Sequence, residues 1–148
     1  MAGIRQKARM VVLQALYEAD LTQHPAQAAL DYHLEETPLS PEAVEFAQGL
    51  LKGTTEHLRA IDALIEEAAP QWPLEQIAAV DRTVLRMTIA ELYDFEPLGK
   101  LKAPVKATIN EAVDLAKRFG SDGSARFVNG VLGSITSKLA GAAAPKAH

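Results

Sequence analysis

The chain has 148 residues, of which 48% are hydrophobic and 23% charged, which is the composition of a globular protein with one buried core. It contains no cysteine, which excludes disulfides, thiolate metal sites and cysteine nucleophiles. No apolar run approaches the ~20 residues of a membrane span, and the N-terminal segment lacks the apolar stretch of a signal peptide. We therefore expect a cytoplasmic protein that does not enter a membrane.

The net charge of −4 conceals an uneven distribution along the chain. Residues 1–17 carry three bases and no acid, residues 18–99 carry four bases and 16 acids, and residues 100–148 carry eight bases and three acids. If the two basic ends meet in the fold, they form one positive surface on an acidic body, which is typical of a protein that binds a polyanion. Chance segregation of charge among solvated helix faces explains the charges equally well.

Nearly every segment shows the helical period and none alternates strictly in the manner of a strand, so the sequence predicts an all-α fold. The first helix is expected over residues 4–21, with Arg5 and Arg9 lying off its apolar stripe. A short second helix is expected over residues 25–34. Because the connections are mostly short, we expect the helices to pack as an antiparallel bundle.

The middle of the chain contains two further amphipathic segments. Ser40 and Pro41 are typical of the N-cap and first position of a helix, which is expected to continue to Pro70 with a bend at Gly53. After a break around the only tryptophan, a strongly amphipathic helix is expected over residues 74–92.

An irregular polar loop is expected over residues 94–103, before the last two helices. The first of these begins near Pro104 and carries an apolar face that continues to Phe119. Gly120 is expected to end this helix in the left-handed conformation. Residues 121–124 supply turn and N-cap residue types, and a new apolar stripe then marks the last helix.

The sequence predicts no catalytic residue, no metal site and no cofactor. The histidines His24, His33 and His57 lack the spacing of metal ligands. Neither a G-x-S-x-G nucleophile motif nor a phosphate-binding glycine loop occurs. Adjacent carboxylates such as Glu35 and Glu36 diverge by about 100° on a helix, so they cannot converge on a substrate.

The basic residues of the first helix are candidates for contacts to nucleic acid. Arg5 and Arg9 are four residues apart and share a helix face, whereas Lys7 points elsewhere, an arrangement that suits contacts to successive phosphates. The alternative is an ordinary exposed helix face.

An aromatic residue near the start of the last helix is a second candidate. Phe127 follows Arg126, and an aromatic ring at the edge of a core can stack on an unpaired base for roughly 1–3 kcal/mol. Lys106, in the sixth helix, would place another cation near the same edge. The alternative is a phenylalanine that packs only against the core.

Asp81 interrupts the apolar stripe of the helix predicted over residues 74–92. A carboxylate in such a place destabilises the fold unless a donor pairs with it, and Arg82 and Arg86 are not at the helical offsets that reach it. An external partner and a solvated position on the rim of the stripe both remain open.

Four separated blocks of the sequence resemble the NusB family of bacterial transcription antitermination factors. They are RQKARMVVLQALYEAD, EFAQGLLKGTTEHLRAID, VDRTVLRMTIAEL, and INEAVDLAKRFG with FVNGVL. The blocks occur in the family's order and cover about residues 4–135. The resemblance implies about seven helices in two three-helix subdomains, which we expect to form one domain over residues 1–140, followed by a flexible tail at residues 141–148.

The resemblance also implies a function without catalysis. Members of this family bind boxA-type single-stranded RNA together with NusE, a protein of the small ribosomal subunit, and help RNA polymerase to resist termination during rRNA transcription. It implies that the RNA-binding residues are Arg5, Lys7, Arg9, Lys106, Arg126 and Phe127. It implies that Tyr17 and Asp81 belong to the surface that binds NusE.

Three positions depart from the family pattern, and two other functions are open. Gln6 stands between the cations of the first helix, Gly123 occupies a turn position where an acid is often found, and the loop at residues 94–103 is somewhat long.

Some RNA methyltransferases carry a NusB-like domain ahead of a catalytic domain, for which we expect no room here. A self-associating structural module would place Tyr17 and Asp81 at a homodimer contact.

Overall fold

A computed structural model describes residues 2–95 and 98–143 of the chain. Within these residues the fold is built from seven α-helices. Their bounds are α1 Ala2–Thr22, α2 Ala26–Glu36, α3 Pro41–Glu56, α4 Leu58–Ala68, α5 Ala79–Leu92, α6 Val105–Phe119 and α7 Ser124–Ala143. The prediction of an all-α fold with about seven helices is confirmed.

The helices form two groups that share one core. In the first group α1 packs against α2 and α3, and in the second α5, α6 and α7 pack against one another, with α4 against α5 and α7. Helix α5 joins the groups because α1 and α3 also pack against it. Most of α5 is buried, and its largest buried side chains are Val84, Leu85, Met87, Ile89 and Leu92.

The segment predicted as one helix from Ser40 to Pro70 is two helices. Its start is as predicted, since the Ser40 hydroxyl caps α3 by accepting a hydrogen bond from the Ala43 N–H at 3.2 Å. The expected bend at Gly53 is wrong: the chain leaves the helical conformation at His57. The His57 ring stacks on Phe95, with 5.0 Å between ring centroids, so the break coincides with a contact to a distant part of the chain.

The segment predicted as a helix over residues 74–92 begins with a 3₁₀ turn at Leu74–Gln76, and α5 starts only at Ala79. The Arg82 guanidinium donates to the carbonyl oxygens of Leu74 and Ile77, each at 2.9 Å. The Leu74 carbonyl oxygen also accepts from the Ile77 N–H at 3.1 Å. The Arg82 side chain therefore joins the separate 3₁₀ turn to the start of α5.

A two-stranded hairpin occupies much of the segment predicted as an irregular loop over residues 94–103. Strand β1, Tyr93–Phe95, pairs antiparallel with β2, Leu98–Leu101, and residues 96–97 of that loop lie outside the described residues. Tyr93 is almost fully buried, and this burial raises the pKa of its phenol. Strands of three and four residues are too short to show an alternating pattern, so the sequence analysis missed them.

The connection between α6 and α7 is tight. Gly120 has φ −92° and ψ −161°, so the predicted left-handed cap is wrong, and the left-handed residue is Gly123 with φ +90°. Gly120 is required for a different reason: a Cβ there would lie 2.5 Å from the Ser124 Oγ and 2.7 Å from the Ala116 carbonyl oxygen. The Ser124 Oγ accepts a hydrogen bond from the Ser121 N–H at 2.9 Å, which holds it in this position.

Helix α7 continues to Ala143 and so includes the first three residues of the tail predicted at residues 141–148. Residues 144–148 of that tail lie outside the described residues. The single domain over residues 1–140 stays a prediction.

The two glycines Gly120 and Gly130 give a matched test of the connection. We expect Gly120→Ala to lower the free energy of unfolding by about 1–3 kcal/mol, because the added methyl group overlaps the Ala116 carbonyl and the Ser124 side chain. Gly130 lies in α7 with open space around its Cβ position, so Gly130→Ala should raise stability by up to about 1 kcal/mol. Urea unfolding followed by circular dichroism measures both, and equal effects would contradict the packing described.

Candidate nucleic-acid interface

The three cations of α1 lie in different environments. Arg5 and Lys7 are exposed, whereas Arg9 is only 8% exposed. Arg5 and Arg9 share a helix face as predicted, but Phe46 of α3 covers it, with the guanidinium carbons 4.8 Å and 5.3 Å from the ring centroid. The predicted placement of Arg9 off the buried side of the helix is therefore wrong.

Arg9 is buried because two glutamates and a glutamine surround its guanidinium. Its Nε donates to Glu91 Oε1 at 2.7 Å and its Nη2 to Glu91 Oε2 at 2.5 Å, which is a bidentate pair with α5. Its Nη1 donates to Gln6 Oε1 at 3.2 Å and lies 3.5 Å from Glu111 Oε2 on α6. We call Arg9, Glu91, Glu111 and Gln6 the Arg9 network. It ties α1 to α5 and α6.

Gln6, which breaks the run of cations in the sequence, is a structural residue of this network. It is 7% exposed, and its Nε2 donates to the Glu111 carbonyl oxygen at 3.1 Å and to Asp114 Oδ2 at 2.9 Å. An arginine in its place would add a charge to this buried contact. The glutamine therefore fits the packing of α1 on α6.

A cleft of about 590 Å³ lies between α1 and the start of α6. We call it the Arg5 cleft; Arg5 and Arg9 line it from α1, and Pro104 and Ala107 line it from α6. Lys106 is exposed in the same turn of α6. The structure thus brings the first helix and the start of the sixth helix to one place, although the cleft also contains three glutamates, Glu42, Glu91 and Glu111.

Lys102 is a further cation near Arg5 that the sequence analysis did not select. Both residues line a smaller cleft that Phe46 and Glu91 also border. The Lys102 Nζ lies 3.7 Å from Asp94 Oδ1 across the hairpin. Its position depends on the pairing of β1 with β2, and for that reason the sequence pattern gave no signal for it.

Lys7 faces away from the Arg5 cleft, as predicted, since two residues correspond to about 200° around an α-helix. It lines a cleft of about 450 Å³ between α1, the connection from α2 to α3, and Phe119 at the end of α6. We call this the Lys7 cleft. Phe119 was predicted to continue the apolar face of α6, but it is 39% exposed.

Phe127 lies at the edge of the core beside the turn from α6 to α7. Its half-buried ring meets Trp72 edge to face, with 6.4 Å between ring centroids and 81° between ring planes. Trp72 is 52% exposed, and the two rings line a cleft of about 220 Å³ with Asp81, which we call the Phe127 cleft. Arg126 is exposed beside it. In the sequence, Trp72 indicates only a break between helices.

Asp81 is buried, at 8% exposure, so a solvated position on the rim of the stripe is wrong. Within residues 2–95 and 98–143 its Oδ1 has no hydrogen-bond partner. As expected from the spacing, the neighbouring arginines bind elsewhere: Arg82 pairs with Asp20 at 2.6 Å and Arg86 with Asp62 at 2.8 Å.

Tyr17 is 37% exposed on α1, one turn before Asp20. The ion pair between Asp20 and Arg82 joins this part of α1 to the first turn of α5, where Asp81 lies. The structure therefore places Tyr17 and Asp81 on helices that are held together, while it places Asp81 and Phe127 in the same cleft.

The described residues form neither a metal site nor a membrane-spanning helix. Among the residues that the structure describes, no group of three His, Asp or Glu side chains is arranged to hold a metal ion. In the same part of the chain, no helix has the length and apolar character needed to cross a membrane.

Arg9 and Arg5 give a direct test of the Arg9 network. We expect Arg9→Ala to lower the free energy of unfolding by about 3–5 kcal/mol, because it leaves Glu91 buried without its partner. Arg5→Ala removes only a contact between an exposed cation and Phe46, worth about 0.5–1 kcal/mol. Urea unfolding of both variants measures the difference. Similar losses would contradict a structural role specific to Arg9.

Comparison with known proteins identifies close relatives along nearly the whole chain. The family profile described as NusB family matches residues 6–137. The transcription antitermination protein NusB of Roseiflexus castenholzii is 48% identical over 139 residues, which are 93% of this chain and 95% of that protein. The protein of the same name from Chloroflexus aggregans is 47% identical over 138 residues, 93% of this chain and 90% of that protein.

Solved structures share the fold. NusB of T. maritima matches with a TM-score of 0.81 and 33% identity, covering 90% of this chain and 91% of that one. NusB in a structure of the antitermination factors NusB and NusE with dsRNA matches with a TM-score of 0.81 and 27% identity, covering 93% and 99%. With the profile and the sequence relatives in agreement over the same residues, this chain belongs to the NusB family.

Proposed function

We propose that this protein is a transcription antitermination factor that binds boxA-type single-stranded RNA together with NusE. The observation that carries the proposal is the 48% identity, over 93% of the chain, with a transcription antitermination protein NusB. The fold shared with NusB in a structure that also contains NusE and dsRNA supports NusE and an RNA as the partners. The protein would then act in the cytoplasm, within the antitermination complex of RNA polymerase on rRNA operons.

Five exposed or half-buried residues are the proposed RNA contacts. They are Arg5, Lys7, Lys106, Arg126 and Phe127. The four cations would neutralise phosphates, which gives affinity that falls with salt and carries no sequence information. The ring of Phe127 would stack on an unpaired base at the mouth of its cleft, with Trp72 holding the ring in place.

Arg9 has a structural role in this proposal and is not one of the RNA contacts. Its donors already bind Glu91, Gln6 and Glu111, and freeing them for a phosphate would leave a buried carboxylate unpaired. We therefore assign Arg9 the task of positioning α1, so that Arg5 and Lys7 are presented correctly. A direct contact between Arg9 and RNA stays an untested prediction of the sequence, and the present proposal does not include it.

Tyr17 and Asp81 are the proposed contacts to NusE. A buried carboxylate oxygen without a donor lowers stability, and a donor supplied by a partner would remove that penalty. Tyr17 adds a half-exposed aromatic ring on the adjoining part of α1, a residue type enriched in protein interfaces. The partner is thus expected to cover both helices.

The alternatives are less well supported. This chain covers 90–95% of the length of two relatives that are named as antitermination proteins. This favours a regulatory role without catalysis over a role as the accessory domain of a methyltransferase. Self-association through Tyr17 and Asp81 would compete with NusE binding. Light scattering with and without NusE measures the mass of the complex and so distinguishes a homodimer from a complex with NusE.

Fluorescence anisotropy with labelled boxA-type RNA, with and without NusE and over a range of salt concentrations, tests the proposal. Arg5→Ala and Lys106→Ala should each weaken binding and lower the salt slope by about 1, because each removes one phosphate contact. Phe127→Ala should weaken binding by about 1–3 kcal/mol with an unchanged salt slope, since stacking releases no counterions. No RNA binding at low salt, even with NusE, would contradict the function.

Two control variants sharpen this experiment. Lys138→Ala removes an exposed lysine of α7, paired with Glu67, and should leave RNA affinity unchanged. Asp81→Asn should reduce the gain in affinity that NusE provides, measured as the ratio of the affinities with and without NusE for the same variant. If Asp81→Asn leaves the NusE effect intact, Asp81 is not part of that interface.

A further inference from the structure

The Lys7 cleft has the properties of a binding site that the sequence analysis did not assign. It lies on the side of α1 opposite Arg5 and is bounded by the connection from α2 to α3 and by the last turn of α6. Its volume of about 450 Å³ falls within the range of small-ligand sites. Most of its lining residues are apolar, and the polar residues Gln14 and Ser40 border it from α1 and from the start of α3.

Two large apolar side chains are exposed in this cleft although their positions in the sequence predict burial. Ile4 belongs to the apolar stripe of α1 and is 48% exposed, and Phe119 continues the apolar face of α6 and is 39% exposed. Exposed apolar groups that adjoin one another mark binding surfaces more often than single ones do. The cleft therefore offers a partly exposed aromatic ring and a partly exposed aliphatic side chain that the core does not bury.

The charge of its lining residues distinguishes the Lys7 cleft from the Arg5 cleft and the Phe127 cleft. Among the described residues, the Lys7 cleft contains one cation and no carboxylate. The Arg5 cleft contains Glu42, Glu91 and Glu111, and the Phe127 cleft contains Asp81 and Asp122. A ligand with both an apolar ring and a negative charge meets least repulsion beside Lys7.

We infer that the Lys7 cleft is a nucleotide subsite for the same RNA strand, with one base against Phe119 and its phosphate at the Lys7 ammonium group. The inference rests on the proposed function. The Ser40 hydroxyl, whose oxygen accepts from the Ala43 N–H, keeps its proton free to donate to the base. Gln14 supplies both a donor and an acceptor.

The subsite is continuous with the proposed RNA surface on both sides. Ile4 lines both the Lys7 cleft and the Arg5 cleft, so the two clefts adjoin near the start of α1. Phe119 immediately precedes Gly120, and the tight turn that begins there leads to α7 and Phe127. A strand that passes from α1 to the turn between α6 and α7 would therefore cross the Lys7 cleft. This continuity favours a nucleotide of the bound RNA over a peptide as the occupant.

Anisotropy with boxA-type RNA, in the presence of NusE, tests the subsite. Phe119→Leu keeps the apolar volume but removes the aromatic plane, and we expect affinity to fall about 5- to 100-fold with an unchanged salt slope. Lys7→Gln should lower the salt slope by about 1. Lys117→Gln changes an exposed lysine in the same turn of α6, outside the lining of the cleft, and is the matched control. Circular dichroism confirms that each variant is folded.

A set of RNAs, each with one base removed, identifies the nucleotide. At one RNA position, loss of the base should weaken binding to the unmodified protein but should not further weaken binding to the Phe119→Leu variant. The reason is that the missing base and the missing aromatic ring each remove the same stacking contact. The subsite is contradicted if the Phe119→Leu variant binds every RNA with the affinity of the unmodified protein. It is also contradicted if the variant loses affinity for NusE but not for RNA. Arg5→Ala and Phe127→Ala test the rest of the proposed RNA surface. If these two variants weaken RNA binding while Phe119→Leu does not, the subsite is contradicted and the proposed function is not.

Discussion

The bidentate ion pair between Arg9 and Glu91 fixes the part of the molecule on which the proposed RNA surface depends. It is almost fully buried, it joins α1 to α5, and through Gln6 and Glu111 it extends to α6. Breaking such a pair leaves a buried charge uncompensated, so α1 has little freedom to rotate about its axis. The rotation of α1 in turn decides where its exposed cations point.

The fixed helix presents its cations on two sides. Arg5 faces the start of α6 and the hairpin, where the cleft also contains glutamates, while Lys7 faces the end of α6 and a cleft whose described lining has no carboxylate. The tight turn at Gly120 then places Phe127 next to Trp72. The result is a series of cationic and aromatic positions on an otherwise acidic body, and an RNA strand is repelled elsewhere.

Local rules predict much of this molecule from its sequence, because helical periodicity and caps depend on neighbouring residues. The Ser40 cap and the edge position of Phe127 follow from such rules. Contacts between distant residues do not: the break after α3 coincides with stacking of His57 on Phe95, and Arg9 is buried because its partners lie on α5 and α6. Periodicity also gives no reason for Phe119 to be exposed, since that depends on which elements border the end of α6.

Arginine side-chain NMR tests the central claim most directly, namely that Arg9 holds α1 in place and remains bound to Glu91 when RNA binds. The Nε–H signals of Arg5 and Arg9, assigned by conservative Arg→Lys variants, are recorded before and after addition of boxA-type RNA. The account predicts that the Arg5 signal shifts while the Arg9 signal keeps its position and its slow exchange with solvent. An Arg9 signal that shifts as much as that of Arg5, or loses its protection, would contradict it.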